Sequence, residues 1–328
     1  MHRDLTVLRR LIVIVAPAVI ALLATPAWGQ TGQPATFERT LEVSGPVDLD
    51  IRTGSGSITV TPGSDGQVRV VGRVRSSGWR GDEARVQEIV ANPPIVQAGN
   101  QIELGFDQRG DWDNDVAISF EVTVPRNTRL RAGTGSGDQR IGDLAGPVAV
   151  GSGSGDLEIG AIGAEVEAST GSGDIDVVAA GGPLEANSGS GRIQVGTVAG
   201  DIRASSGSGT VEATQTAPGA VRITTGSGSI RLSGVEGDAR IDSGSGSIEI
   251  AGRPTGDWRL SSSSGSVDVD LPDDVGFDLR ARTTSGSIDT DYPVTVNGSF
   301  GRRELSGSVG EGGVLVEVRT VSGSIRVF

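Results

Sequence analysis

Between Leu157 and Ala281 the apolar residues come in spaced pairs: one apolar position, one polar, one apolar, then a return to the same pattern at a nearly constant distance. One set reads Leu157/Ile159, Ile175/Val177, Ile193/Val195, Val211/Ala213, Ile230/Leu232, Ile248/Ile250 and Val267/Val269. The other reads Val166/Ala168, Leu184/Ala186, Ile202/Ala204, Val221/Ile223, Ala239/Ile241, Trp258/Leu260 and Leu279/Ala281. Alternation with a period of two marks a strand that buries one face. Each set is therefore a family of strands whose inward residues form two columns.

A Gly-containing corner, most often Gly-Ser-Gly, joins a strand of the second set to one of the first. Its last Gly serves as a marker at Gly155, Gly173, Gly191, Gly209, Gly228, Gly246, Gly265, Gly286, Gly307 and Gly323, with spacings of 18, 18, 18, 19, 18, 19, 21, 21 and 16. Gly137 lies 18 residues before Gly155, and Gly56 is an isolated early copy. A period this regular predicts a solenoid whose unit is strand, corner, strand and a Gly-containing return such as Gly182-Pro183 or Gly237-Asp238. Neither strand covers its apolar face alone, so coils stack about 4.8 Å apart, pair in parallel and share one core; about ten of them make a stack on the order of 50 Å long. A third apolar position at Ile162, Ala180, Val198 and Val235 is broken by Thr216 and Arg253, which makes the third side short or places it near a corner. The competing arrangement, a β-sandwich of hairpins with Gly-Ser-Gly loops, has no need of identical columns at one period.

Residues 30–131 lack the repeat. They hold extended segments such as Gln67–Val74 and Ala117–Pro125, and one short helix, Asp82–Val90, opened by acidic residues and ended by Asn92-Pro93-Pro94. This region reads as a cap over the first exposed strand of the stack. Ahead of it, Arg3, Arg9 and Arg10 precede an apolar run from Leu11 to Leu23 and small residues at Ala27 and Gly29, the pattern of a cleaved secretory signal. The run contains Pro17 and is short for a membrane span, and no Cys follows it to carry a lipid anchor. The expected organisation is thus a signal peptide at 1–29, an N-terminal cap with lead-in strands at 30–131 and β-solenoid repeats at 132–328. An exported product of the periplasm, cell surface or extracellular space follows, with no membrane span in the mature chain.

Composition narrows the chemistry. The chain of 328 residues has a net charge of -13; loss of three Arg and one Asp with the signal leaves -13 minus 2, or -15. That field disfavours nucleic acid and other polyanions as global partners, unless a local basic patch overrides it. There is no Cys or Lys, and the one His is His2, inside the signal. Thiolate and imidazole nucleophiles, His-ligated metals and Schiff-base chemistry are therefore outside the reach of the mature chain. Carboxylate chemistry and oxygen-ligated cations remain. Without disulfides, stability rests on packing and hydrogen bonding.

The segment Glu121–Ile141, "EVTVPRNTRLRAGTGSGDQRI", followed by serial "GSGDIDV", "GSGSIRL" and "SGSIRVF" units, resembles the DUF4097 family of bacterial β-strand-repeat proteins, a family of candidate adhesins. The resemblance covers roughly residues 40–328. It implies a single-stranded, right-handed β-helix related to the pectate-lyase-like shape, and it brings no catalytic residues.

Outward positions are where a site would lie. Before the corner they are Glu167, Glu185, Arg203, Arg222, Arg240, Arg259 and Arg280 in successive coils, five arginines that would make an anion-binding stripe. Two residues earlier stand Asp201, Asp238, Asp257 and Asp278, with Ala220 the gap, so two parallel ladders paired Asp to Arg are the plainer expectation. After the corner, Asp156, Glu158, Asp174 and Asp176 crowd the surface of two adjacent coils. Calcium is one way to relieve that crowding; solvation and partial protonation are another. A nonapeptide calcium repeat fails on register, because its Asp position is occupied by Ile175, Ile193 or Val211. Phosphate loops need a helix after the glycines, and here a strand follows each time. Paired carboxylates also suit a glycosidase or lyase, but of four Trp, Trp28 is in the signal and Trp258 is inward, leaving Trp79 and Trp112 as exposed candidates for stacking on sugar. The sequence thus predicts a non-enzymatic envelope scaffold without cofactor that binds an envelope polymer, a matrix component or another protein. A carbohydrate-active β-helix enzyme and an element that self-associates end to end are the alternatives.

Overall fold

Neighbouring coils align their apolar columns residue for residue. Leu157 pairs with Ile175, and the column continues through Ile193, Val211, Ile230, Ile248 and Val267, all in parallel. Before the corner, Val148, Val166, Leu184, Ile202, Val221, Ala239 and Trp258 do the same. All of these side chains are buried. The structure, a computed structural model, describes residues 34–76, 83–105 and 116–328, with the main chain alone at 297–300. These residues belong to one compact unit, Pro34–Phe328. The segment 1–29, Trp79 and Trp112 lie outside the described residues.

The strands before the corners form a leading sheet of 15 strands, and those after them a trailing sheet of 14. Parallel pairing through the repeat excludes a sandwich of hairpins. The fold is an all-β parallel solenoid, and among the described residues its single α-helix is Glu83–Ala91, within one residue of the expected bounds at each end. The helix stops where Asn92 donates back to the Glu88 carbonyl and two prolines follow.

The early copy at Gly56 is a full coil. Strands Val47–Ser55 and Ile58–Gly63 pair in parallel with Thr128–Ser136 and Gln139–Ile141, so the stack reaches back to residue 47. Beyond that coil the trailing sheet continues through Val116–Pro125 and closes with two antiparallel strands, Gln67–Ser76 and Ala35–Glu42. The leading sheet closes with Gln101–Leu104 and the antiparallel Ile95–Ala98. On the outermost strand Glu38 accepts from Arg69 at 2.7 Å, a hydrogen bond that holds its carboxyl below the ordinary range.

At the other end the order of coils departs from the order of markers. Ile325 pairs with both Val267 and Ile288, and Val316 with both Trp258 and Leu279. The coil of Gly323 is therefore inserted between those of Gly265 and Gly286. Gly307 is no corner at all. It lies in Glu304–Val309, a strand antiparallel to both Phe277–Ser285 and Val294–Gly301. The chain skips one level, turns a hairpin over the end of the stack and returns to fill the level it skipped, which is why the last three spacings leave the repeat.

The third side is also repaired in a way the columns do not announce. Ile162, Ala180, Val198 and Val235 are buried, and where Thr216 was expected to break the row a register shift brings in Gln215. Its amide donates to the carbonyls of Gly200 and Gly219 and accepts from the Glu236 N–H, so the polar group is fully engaged. Gln139, buried in the column between Ile58 and Leu157, is less well served: its Nε2 donates to the Gly151 carbonyl, while its Oε1 has no partner among the described residues.

The corners are held by side chains inside the turn. Three residues before each marker stands a buried Ser or Thr: Thr134, Ser152, Thr170, Ser188, Ser206, Thr225, Ser243, Ser262, Thr320 and Thr283. Each hydroxyl donates to the marker-Gly carbonyl of the coil beneath, as Ser188 does to Gly173 at 2.9 Å and Ser206 to Gly191 at 2.9 Å. In many coils it also accepts from its own marker N–H, as from Gly191 at 2.8 Å. Thr320 reaches Gly265 and Thr283 reaches Gly323, so the inserted coil uses the same contact on both sides. The markers themselves do not have left-handed backbone. They must be glycine because a β-carbon on Gly173 would run into the Gly155 carbonyl below.

Two predictions follow from this packing. Ser188→Ala leaves the Gly173 carbonyl and the Gly191 N–H without their buried partner and lowers stability by about 1–3 kcal/mol in chemical denaturation. Tyr292 packs edge-to-face on Phe277 at 5.5 Å and donates its hydroxyl to the Leu271 carbonyl. Burial, then the neighbouring Asp273, Asp270 and Asp291, push its phenol above the ordinary value. A raised folded pKa means that stability is intact below about pH 10 and falls as pH rises through the folded value. Because this is the only Tyr in the chain, phenolate absorbance reads it directly: the midpoint lies above about 10 when folded and near 10 in denaturant, and Tyr292→Phe removes this part of the alkaline loss.

Candidate functional site

The two sheets distribute their outward charges differently. Down the centre of the trailing sheet the column reads Arg140, Glu158, Asp176, Gln194, Glu212, Arg231, Glu249 and Asp268. Opposite charges meet across coils: Arg140 with Glu158 at 2.9 Å, and Arg231 with Glu212 at 2.7 Å and Glu249 at 3.4 Å. The hydrogen bonds that Arg140 donates to Glu158, then the charge of Glu158, raise the Arg140 pKa further above its already high value.

The acidic group Asp156, Glu158, Asp174 and Asp176 belongs to this face, and each member has a protein partner. Asp156 Oδ1 accepts the main-chain N–H of Asp174 at 2.8 Å, and Asp174 Oδ1 accepts that of Arg192 at 2.7 Å. One coil lower, Asp138 does the same for Asp156 at 3.1 Å. The carboxylates thus cap an N–H that the corner leaves outside the sheet ladder. Arg192 then lies 3.6 Å from both Asp174 and Asp176, and Glu158 takes both oxygens to Arg140. Among the described residues no three carboxylates converge in the manner of a cation site. The residue expected to end the cluster, Arg192, completes it.

The leading sheet keeps its charges segregated. Glu167 and Glu185 are neighbours, followed by Arg203, Arg222, Arg240 and Arg259 on four consecutive parallel strands in exact register. The fifth arginine is displaced: Glu317 of the inserted coil stands next to Arg259, and Arg280 lies beyond it. The carboxylates around the block sit along the strands rather than between the arginines. Asp201 lies 3.5 Å from Arg203 and Asp257 2.9 Å from Arg259, as the ladder reading expects. Arg240 turns instead to Asp242 at 3.4 Å, while Asp238 accepts the Asp257 N–H at 2.9 Å. Asp278 is taken by the Ser308 hydroxyl at 2.7 Å. Among the described residues no carboxylate oxygen lies within 4.0 Å of Arg222 or Arg280. Asp242, two residues past Arg240 on the same face, carries in the sequence the same signal as Asp238; Glu317 carries no signal until the coil order is known.

Near the first coils, Gly133 and Gly151 replace outward side chains beside Arg52 and leave a shallow notch also lined by Gly135. No Asp or Glu lines it. Among the described residues, no helix is long and apolar enough to cross a membrane.

Asp174 and Asp176 separate the structural from the superficial role of the acidic group. Asp174→Ala uncaps the Arg192 N–H and costs about 1 kcal/mol in thermal or chemical unfolding, whereas Asp176→Ala removes one exposed ion pair and changes stability by less than about 0.5 kcal/mol.

The fold and the charge pattern can be set beside known proteins. No curated protein matches the chain. Among solved structures, a "putative cell adhesion protein" from Clostridium sporogenes is similar over 90% of this chain and 99% of its own, at 11% identity and a TM-score of 0.22. A "putative adhesin" from Bacteroides fragilis covers 73% of this chain and 97% of its own, at 16% identity and a TM-score of 0.28. At these scores neither superposition carries weight. The sequence profile of the Toastrack DUF4097 family matches residues 164–327, half of the 328-residue chain. With its stacked Gly-Ser-Gly corners and parallel columns, the chain belongs to the Toastrack DUF4097 family.

Proposed function

We propose that the protein is an exported, non-enzymatic scaffold of the cell envelope, periplasmic or at the surface, that binds an anionic envelope or matrix polymer along its leading sheet. The observation that carries the reading is the block Arg203, Arg222, Arg240 and Arg259, four guanidinium groups on adjacent strands, with Arg222 inside the row and, among the described residues, no carboxylate oxygen within 4.0 Å of it. Like charges on strands about 4.8 Å apart raise the energy of the bare face, and a sulfated or phosphorylated chain laid across the strands relieves that repulsion. Among the described residues the central column of the trailing sheet has no such row, and Arg140 and Arg231 are paired to carboxylates of neighbouring coils. Export is supported by the basic, apolar and small-residue sequence of 1–29.

The local field limits the strength of such binding. Asp201, Asp238, Asp242 and Asp257 border the block, so contact must be made at the guanidinium row itself and salt will screen it. Titration of the protein with a sulfated polysaccharide is expected to show binding that weakens with ionic strength and drops at least about tenfold, or 1.4 kcal/mol, in the double variant Arg222→Ala/Arg240→Ala. Equal binding by the variant, or no salt-sensitive binding by the native chain, would refute the assignment.

A further inference from the structure

The level filled by Val314–Phe328 is a slot between two coils that precede it in the chain. Below it lie Trp258–Ser264 and Val267–Asp270; above it lie Phe277–Ser285 and Ile288–Thr290. Between those two coils the chain runs through Leu271–Gly276, which climbs past one level and leaves it open. The slot is apolar: Trp258, Leu260, Val267 and Val269 face it from one side, Phe277, Leu279 and Ala281 from the other, and all are buried once Val316, Val318, Ile325 and Val327 are in place.

The contacts that seat the inserted coil are the generic ones of the repeat. Val267 N–H donates to Ser324, Ile325 N–H to Ser287, and Phe328 N–H to Val269, at 2.9–3.0 Å. Thr320 and Thr283 supply the corner hydroxyl bonds. None of these contacts depends on the inserted coil belonging to the same chain. The link that makes it so is Gly310–Gly313, a turn between Glu304–Val309 and Val314–Ser322 that crosses the end of the intervening strand. Three of its four residues are glycines with φ of 61°, 75° and 151°. Such a link opens without loss of side-chain packing, and an exchanged coil recovers every contact it leaves, the condition under which swapping is a low-cost route to association.

We propose that this slot is an association site for a second copy of the chain, which donates its own 314–328 segment while its partner's fills the reciprocal slot. This is independent of what the arginine face binds. It also differs from end-to-end stacking, because the exchange occurs one level inside the end of the stack.

The absence of Cys allows a direct test. Ser264 and Ser322 are exposed and directly paired across the slot boundary. The double variant Ser264→Cys/Ser322→Cys, treated with a short thiol cross-linker, establishes that the two positions can be joined. Single variants Ser264→Cys and Ser322→Cys are then mixed, refolded together over a range of concentrations and cross-linked, with Ser264→Cys plus Ser154→Cys as the control. The expected result is a Ser264–Ser322 linked dimer that increases with concentration, exceeds the control and sediments at twice the monomer mass. Deletion of Glu311 and Gly312, which prevents closure within one chain, should increase the dimer fraction. Cross-linking at the control level at every concentration, with the double variant closing only within single chains, overturns the proposal.

Discussion

A hydroxyl buried inside each corner joins one coil to the next. The oxygen of Ser188 serves a carbonyl of the coil beneath and an N–H of its own coil, which satisfies two main-chain groups at the one place where the parallel ladder must turn. Without the hydroxyl, the loss would be about 1–3 kcal/mol at a corner such as this one, and a similar cost would recur up the stack. The apolar columns supply the driving force for stacking, but they tolerate sliding by one residue pair. The hydroxyl contact does not, because it connects one named position to one named carbonyl. Register along the stack therefore rests on the corners, and the position of every outward charge follows from that register.

That dependence explains why the two faces differ so plainly in chemistry while sharing one scaffold. Residues at equivalent outward positions are forced into contact with their counterparts above and below. On the trailing sheet the sequence alternates sign at the places where contact occurs, as at Glu212, Arg231 and Glu249. On the leading sheet it places four arginines in succession and sends their counter-ions sideways along the strands. The first arrangement is closed within the protein. The second leaves charge facing outward in a line.

Much of this was legible in the chain because period-two columns and an 18-residue repeat are local signals that no distant contact can disguise. The stack, its parallel pairing and the buried Trp258 come from that source, and the short helix from its acidic start and the Asn92-Pro93-Pro94 stop. Three features were not legible. The hydroxyl before each Gly-Ser-Gly was visible as a recurring Ser or Thr, but Ser and Thr are common at turns for weaker reasons, and its burial appears only in three dimensions. The role of Asp156 and Asp174 as caps for the next coil's N–H was hidden for a similar reason, since carboxylates outside a strand look like a surface cluster until the free N–H is located. The order of the last coils had no local signature: "TTSGSI" and "TVSGSI" fit either level, and the choice is made by the hairpin between them.

The contact of each marker glycine with the carbonyl below has a consequence for how such a chain changes over time. A side chain at Gly173 or Gly191 is blocked by main chain, which cannot move aside, so the corners are closed to gradual substitution. Every corner is nonetheless interchangeable with its neighbours, because each presents the same carbonyl upward and receives the same hydroxyl. Point changes at the corner are therefore costly, while gain or loss of an entire coil disturbs only two junctions of identical design. The natural unit of variation in this molecule is the whole turn, and its length is the property most free to drift.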